Sequence, residues 1–453
     1  MRKYSLFVLA AALIGGVTTA ASAPAAPTPP KVGSACTKAG AFFDTPNVRY
    51  VCNVEGKKKV WRVWHPASAP KPATSMSNGS TGTQQSGSTT TTATPAAPAA
   101  PKAVVNPIPL SLPVAPIGAI TFDNITQHIS DISTAAYNAV QAVESANPQP
   151  DIPNTIAIGP TTVPSVPDVA AAYKKIEKLW AGFRQPSTNY ALVFNYQDKA
   201  WAVSNATANP VVIANGGING PLNLPNRIEQ GCSAVNQCSG ANSGISDAAG
   251  NSVAQFGMDP VMNSRDPYFQ TGGIFGHEYT HSVQAAQFLG NPKIGTPDSA
   301  EQRAHGLSNQ PSGLYEGVVP CWFAEGQPNF NGTAAEASSL SDYLRWRSGM
   351  PKGFPTSAFP DYSAAAIQNL LLTDNPPNCL PPAEIYRVGY GIGALVIEAL
   401  TAIAGPQSTM AVVREQSYGK TFPEAFQIVY GISWDKAAPI LAQVAATEYA
   451  AVP

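Results

Sequence analysis

Charge is scarce in this chain: Asp, Glu, Lys and Arg make up 12% of 453 residues, and 27 basic side chains against 28 acidic leave a formal net charge of −1. Holding a phosphate backbone requires a basic excess, and its absence argues against nucleic acid as a partner. Histidine is scarcer still, at five residues. Beyond the N-terminus no apolar run approaches the ~20 residues of a bilayer span, so no membrane span is expected in the mature chain. What abounds is proline (43) and glycine (37), beside 44% hydrophobic residues. That mixture fits a globular body joined to solvated, proline-rich segments. At this length an enzyme-sized core can be buried even with the tails set aside.

Arg2 and Lys3 precede the apolar run Leu6 to Val17, and the small residues TTAASA follow at 18–23. This is the pattern of a secretory signal peptide covering 1–23, so the protein is expected to be secreted or held at the cell envelope. Six cysteines fit an oxidising compartment: Cys36, Cys52, Cys232, Cys238, Cys321 and Cys379. Three disulfides are expected, with pairing between sequence neighbours, although the sequence alone does not choose among the connectivities.

Residues 31–65 place two cysteines around a turn region with aromatic residues alternating with polar ones, which predicts a small two- or three-stranded β module held by a disulfide. Its expected role is contact with a cell envelope, or simply that of a spacer. Residues 66–105 are Ser, Thr, Pro, Ala and Gly with almost nothing apolar, and read as a linker. From 106 to 453 the composition is globular. Helical spacing marks 121–146 and 167–183, the latter with Pro167 and Asp168 as a start signal. Residues 189–214 read as short strands broken by turns, and the pattern after residue 272 is mainly helical, with 389–405 the most hydrophobic element. Strands followed by helices predict an α+β body.

The chemistry concentrates in GGIFGHEYTHSVQAAQFLGNP, residues 272–292. Residues four apart share one helix face, so His277 and His281 can present both imidazoles to one ion. Glu278 between them can hold a water on that ion and take its proton, which is the logic of H-E-x-x-H in zinc peptidases. Zinc suits the task because it lowers the pKa of a bound water to about 7 and polarises a carbonyl. A catalytic zinc needs a third protein ligand. A histidine six residues beyond His281 would supply one, but the sequence there is SVQAAQFLG, which excludes that class. Glu325 in PCWFAEGQPNF (320–330) is the better candidate, with Glu301, His305 and Glu316 as competitors.

GHEYTH together with WFAEG resembles the gluzincin clan of metallopeptidases, which includes thermolysin-like and aminopeptidase N-like enzymes. The resemblance implies a zincin-like domain with a mainly helical C-terminal part, one catalytic Zn2+ on His277, His281 and Glu325, and Glu278 as general base. It also implies an oxyanion donor at Tyr386, which begins a Y-x-x-G sequence within EIYRVGYG, with Tyr390 as runner-up. Glu325 follows His281 by 44 positions, a longer gap than those families have, so the intervening segment must be an inserted loop, and Pro328 is expected to kink its helix. Asn329, one turn past Glu325, is a candidate to accept a hydrogen bond from a ligand histidine. A Cys321–Cys379 disulfide would tie the Glu325 helix to the segment leading into Tyr386. The expected function is a secreted zinc peptidase acting on peptide or protein substrates. The alternative is a catalytically silent exported protein that binds a peptide or an envelope polymer.

Overall fold

A computed structural model of the chain describes residues 30–31, 33–37, 42–44, 49–55, 58–63, 110–210, 212, 224–245, 249–289, 319–353, 359–373 and 386–452. The expected signal peptide (1–23), the linker (66–105), Glu301, His305, Glu316 and Cys379 lie outside the described residues. The chain divides into two units, Met1–Ala93 and Thr94–Pro453.

In the first unit, β1 (Phe42–Asp44), β2 (Arg49–Glu55) and β3 (Lys58–Val63) form an antiparallel sheet in that order. A disulfide joins Cys36 to Cys52, and a bridge between Ala35 and Val60 brings the preceding segment onto β3. A sheet this small has little core of its own, and the covalent tie supplies what burial cannot.

The second unit is mixed α and β. Helix α1 (Ile129–Ala146) precedes a sheet built from β4 (Asn154–Ile158), β5 (Thr188–Phe194), β8 (Ala241–Ile245) and β9 (Asn251–Gly257), in the order β4-β5-β9-β8. β4, β5 and β9 are parallel and β8 is antiparallel at the edge. Helix α2 (Val169–Leu179) makes the first crossover, its start fixed by Asp168, whose side chain accepts from Ala171 N–H at 2.9 Å. The second crossover contains α3 (Lys199–Ala208), α4 (Leu224–Gly231) and the short antiparallel pair β6 (Cys232–Ala234) and β7 (Gln237–Cys238), closed by a Cys232–Cys238 disulfide. The sheet is covered on both faces. Along β5, Ala191 and Val193 join the large core with Tyr173, Phe275 and Tyr279, while Leu192 and Phe194 point the other way against Ala202, Leu224 and Ile228.

Two expectations change here. Residues 199–208 are helical rather than extended, because KAWAVSNATA has four alanines and no Gly or Pro, and Ala202 and Ala206 pack on Leu192 and Phe194 through one helix face. Strands and helices also interleave up to Gly257, and beyond it the described residues of the unit hold helices and no strand. There the chain continues through α5 (Pro260–Arg265), α6 (Pro267–Thr271), α7 (Gly273–Phe288), α8 (Cys321–Glu336), α9 (Leu340–Arg347), α10 (Met350–Gly353) and α11 (Ala364–Thr373). A short helix α12 (Tyr386–Val388) runs through a π-helical turn, Gly389–Gly393, into α13 (Ala394–Ala404). Helices α14 (Pro406–Ser417), α15 (Phe422–Tyr430) and α16 (Trp434–Ala451) close the unit. Among the described residues no single helix is long and apolar enough to cross a membrane.

Candidate metal centre

Helix α7 has no solvent face: all of its residues are buried. A polar side chain in such a helix needs a partner. Thr280 Oγ1 donates to the Gly276 carbonyl at 2.8 Å and accepts from Trp180 Nε1 at 3.0 Å. Tyr279 donates to Gln185 at 2.7 Å, and Ser282 and Ser252 share a hydrogen bond of 2.7 Å. His277 and His281, one turn apart, turn their imidazoles instead toward α8 and Glu325.

Glycines let α8 come that close. A β-carbon on Gly276 would lie 2.8 Å from the Gly332 Cα, and one on Gly326 would lie 2.4 Å from the Gly393 carbonyl carbon. One on Gly389 would meet the Glu325 Cβ at 2.6 Å. Helix α8 is thus clasped between α7 and the π-helical turn, with Glu325 pressed against the turn.

Three donor atoms converge. His277 Nε2 and His281 Nε2 are 3.0 Å apart, and Glu325 Oε2 lies 3.7 Å from the first and 3.3 Å from the second. The three separations average about 3.3 Å, the edge of a tetrahedron whose centre is about 2.0–2.1 Å from each corner, which is the zinc–nitrogen distance. Three corners are protein atoms and the fourth is left over.

The donor chemistry fits a cation. His281 Nδ1 donates to Gln284 Oε1 at 3.0 Å, which leaves a lone pair on Nε2 in the neutral ring, facing His277 Nε2. Glu325 Oε2 is buried without a hydrogen-bond donor among the described residues. Electron-rich atoms at such distances require a positive charge among them. Without a metal a proton fills part of that role: burial alone would lower the His281 pKa, but the Glu325 carboxylate overrides it and raises the ring to about 9. Burial likewise works against charge on Glu325, and the two imidazoles overcome it, holding the carboxyl well below the usual range.

Glu278 is buried beside this cluster and within electrostatic reach of His281. Its carbonyl accepts from Ser243 Oγ of the edge strand β8 at 2.6 Å, so strand and helix meet at the site. Tyr386 lies in α12, but its side chain is outside the described residues. Cys321, in the first turn of α8, is disulfide-bonded to a partner outside the described residues. Asn329 makes a different contact. Its amide donates to the Tyr390 carbonyl at 2.7 Å, in the π-helical turn that packs on the same face of α8 as Glu325.

Gln284 takes the place expected of Asn329, and its signal in the sequence was the three-residue spacing from His281 on one helix face. Tyr268 had no such signal. It sits in α6, just before the left-handed Gly272 (φ 87°) that turns the chain into α7. Its ring stands perpendicular to that of His277 at 6.0 Å, while the Tyr390 ring lies 5.7 Å from the same imidazole. Burial and the charges of Glu278 and Glu325 push the Tyr268 pKa well above its ordinary value, so the phenol keeps its proton.

No protein family, curated protein or solved structure matches this chain.

Proposed function

We propose that the chain is an exported zinc-dependent peptidase with a zincin-like catalytic domain. The observation that carries this is the triangle of His277 Nε2, His281 Nε2 and Glu325 Oε2 at 3.0, 3.3 and 3.7 Å, with Glu278 next to it in sequence and space. A bound zinc would supply a water acidified to a pKa of about 7 and an electrophile for the scissile carbonyl. Glu278 takes the proton from the attacking water and returns it to the leaving amine. Tyr268, protonated and beside His277, donates a hydrogen bond to the carbonyl oxygen as negative charge gathers there. The edge strand β8, anchored to the Glu278 carbonyl through Ser243, offers backbone groups along which an extended peptide can lie. The disulfides in both units are compatible with an extracellular setting.

The test is hydrolysis of a mixed peptide library by zinc-loaded wild type and Glu278→Gln, with zinc content measured on both. The expected result is cleavage by the wild type, abolished by a chelator and restored by zinc. Glu278→Gln should keep its metal and lose roughly 10²–10⁴-fold in rate. A zinc-loaded wild type that cleaves nothing, or an undiminished variant, contradicts the reading.

A further inference from the structure

The helix that carries Glu325 contains a proline, Pro328, well inside its length. Proline has no N–H, so the carbonyl one turn back, that of Ala324, loses its helical donor. The vacancy is filled from the neighbouring helix: Gln284 Nε2 donates to the Ala324 carbonyl at 3.1 Å. The same Nε2 donates to Gln327 Oε1 at 2.8 Å, and Gln284 Oε1 accepts from His281 Nδ1 at 3.0 Å. Gln327 Nε2 in turn donates to Thr409 Oγ1 at 2.8 Å, and the Thr409 hydroxyl donates to the Pro406 carbonyl at 2.7 Å.

This relay has one permitted direction. The Pro406 carbonyl can only accept, so the single Thr409 proton goes to it and the Thr409 oxygen must accept from Gln327. Gln327 therefore turns its nitrogen to Thr409 and its oxygen to Gln284. Gln284 must then turn its nitrogen toward Gln327 and Ala324 and its oxygen toward His281. The one remaining arrangement makes His281 Nδ1 a donor. Gln284, Gln327 and Thr409 are each fully buried, so water does not compete for these bonds. Among the described residues His277 has no counterpart, its Nδ1 being buried with no hydrogen-bond partner there. The two imidazoles are thus unequal, one locked by three helices and one placed by packing alone.

We infer that Gln284, Gln327, Thr409 and Pro328 are positioning residues that lock His281 as the Nδ1–H imidazole with Nε2 aimed at the ion, Pro328 by freeing the Ala324 carbonyl for Gln284. The inference rests on the zinc reading proposed above. Partners of this kind are worth about 10–100-fold in metal affinity.

The experiment is zinc titration, with NMR of the downfield imidazole protons, on full-length zinc-loaded protein. In the wild type, His281 should show a slowly exchanging Nδ1–H. Gln284→Leu should lose that slow proton and bind zinc about 10–100-fold more weakly. Thr409→Val, which keeps the volume and cuts only the far link, should shift both readouts in the same direction by a smaller factor, and it decides the matter if Gln284→Leu does not fold. A purely structural role would lower the melting temperature and leave zinc affinity and proton exchange unchanged, and that result overturns the inference. A wild type that binds no zinc defeats the metal reading and this inference together. A wild type that binds zinc no better than Gln284→Leu defeats this inference alone.

Discussion

A β-carbon built on Gly332 falls 2.4 Å from the backbone nitrogen of His277. No side chain fits there, so the crossing of α7 and α8 is set by the absence of one, and His277 and Glu325 inherit their separation from it. Gly332→Ala should therefore push the helices apart. Overpacking of this kind costs about 1–3 kcal/mol. The expected outcome is a lower unfolding midpoint together with weaker zinc binding, measured by denaturant titration and metal competition. Unchanged zinc affinity would detach the helix crossing from the site.

Tyr268→Phe keeps the ring against His277 and removes only the hydroxyl. If that hydroxyl meets the developing oxyanion, kcat should fall by roughly 10²–10³ with zinc content unchanged, in line with the loss of a single oxyanion donor. Steady-state kinetics on a peptide cleaved by the wild type give the answer. A kcat near that of the wild type would remove Tyr268 from the chemistry.

Glu177 lies under the sheet, where it accepts from Gln149 Nε2 at 2.9 Å and Asn154 Nδ2 at 2.6 Å. Burial pushes its pKa up from 4.5 to about 7, against the pull of those hydrogen bonds. The folded state therefore holds this proton between pH 4.5 and 7 after the unfolded chain has released it. Stability from this group is complete below the lower value and declines as pH rises toward the upper one. Glu177→Gln removes that slope. Relative to the wild type, the variant should gain roughly 3 kcal/mol between pH 4 and pH 8. Parallel stability curves for the two proteins would contradict the assignment.

The H-E-x-x-H spacing was legible because a helix converts four residues of sequence into one shared face, so His277 and His281 needed no tertiary information to be paired. Glu325 was reached through the need for a third ligand and the resemblance of its sequence to a known pattern, since a separation of 44 positions says nothing about contact. The mixed α and β character and the start of α2 at Asp168 could be read locally. The helix over 199–208 could not, because its apolar and β-branched residues suit a strand as well, and the packing of Ala202 and Ala206 decides the matter. The bonds of Gln284 to α8 and the glycine contacts were out of reach for a further reason. Each depends on a neighbour distant in sequence: Gln284 on Pro328 through the Ala324 carbonyl, and Gly332 on His277.

Anomalous diffraction at the zinc edge from zinc-loaded crystals tests the central claim most directly. The account predicts one strong peak about 2.0–2.2 Å from His277 Nε2, His281 Nε2 and a Glu325 carboxylate oxygen. No peak there, or a peak with Glu325 outside bonding distance and another residue in its place, would contradict it.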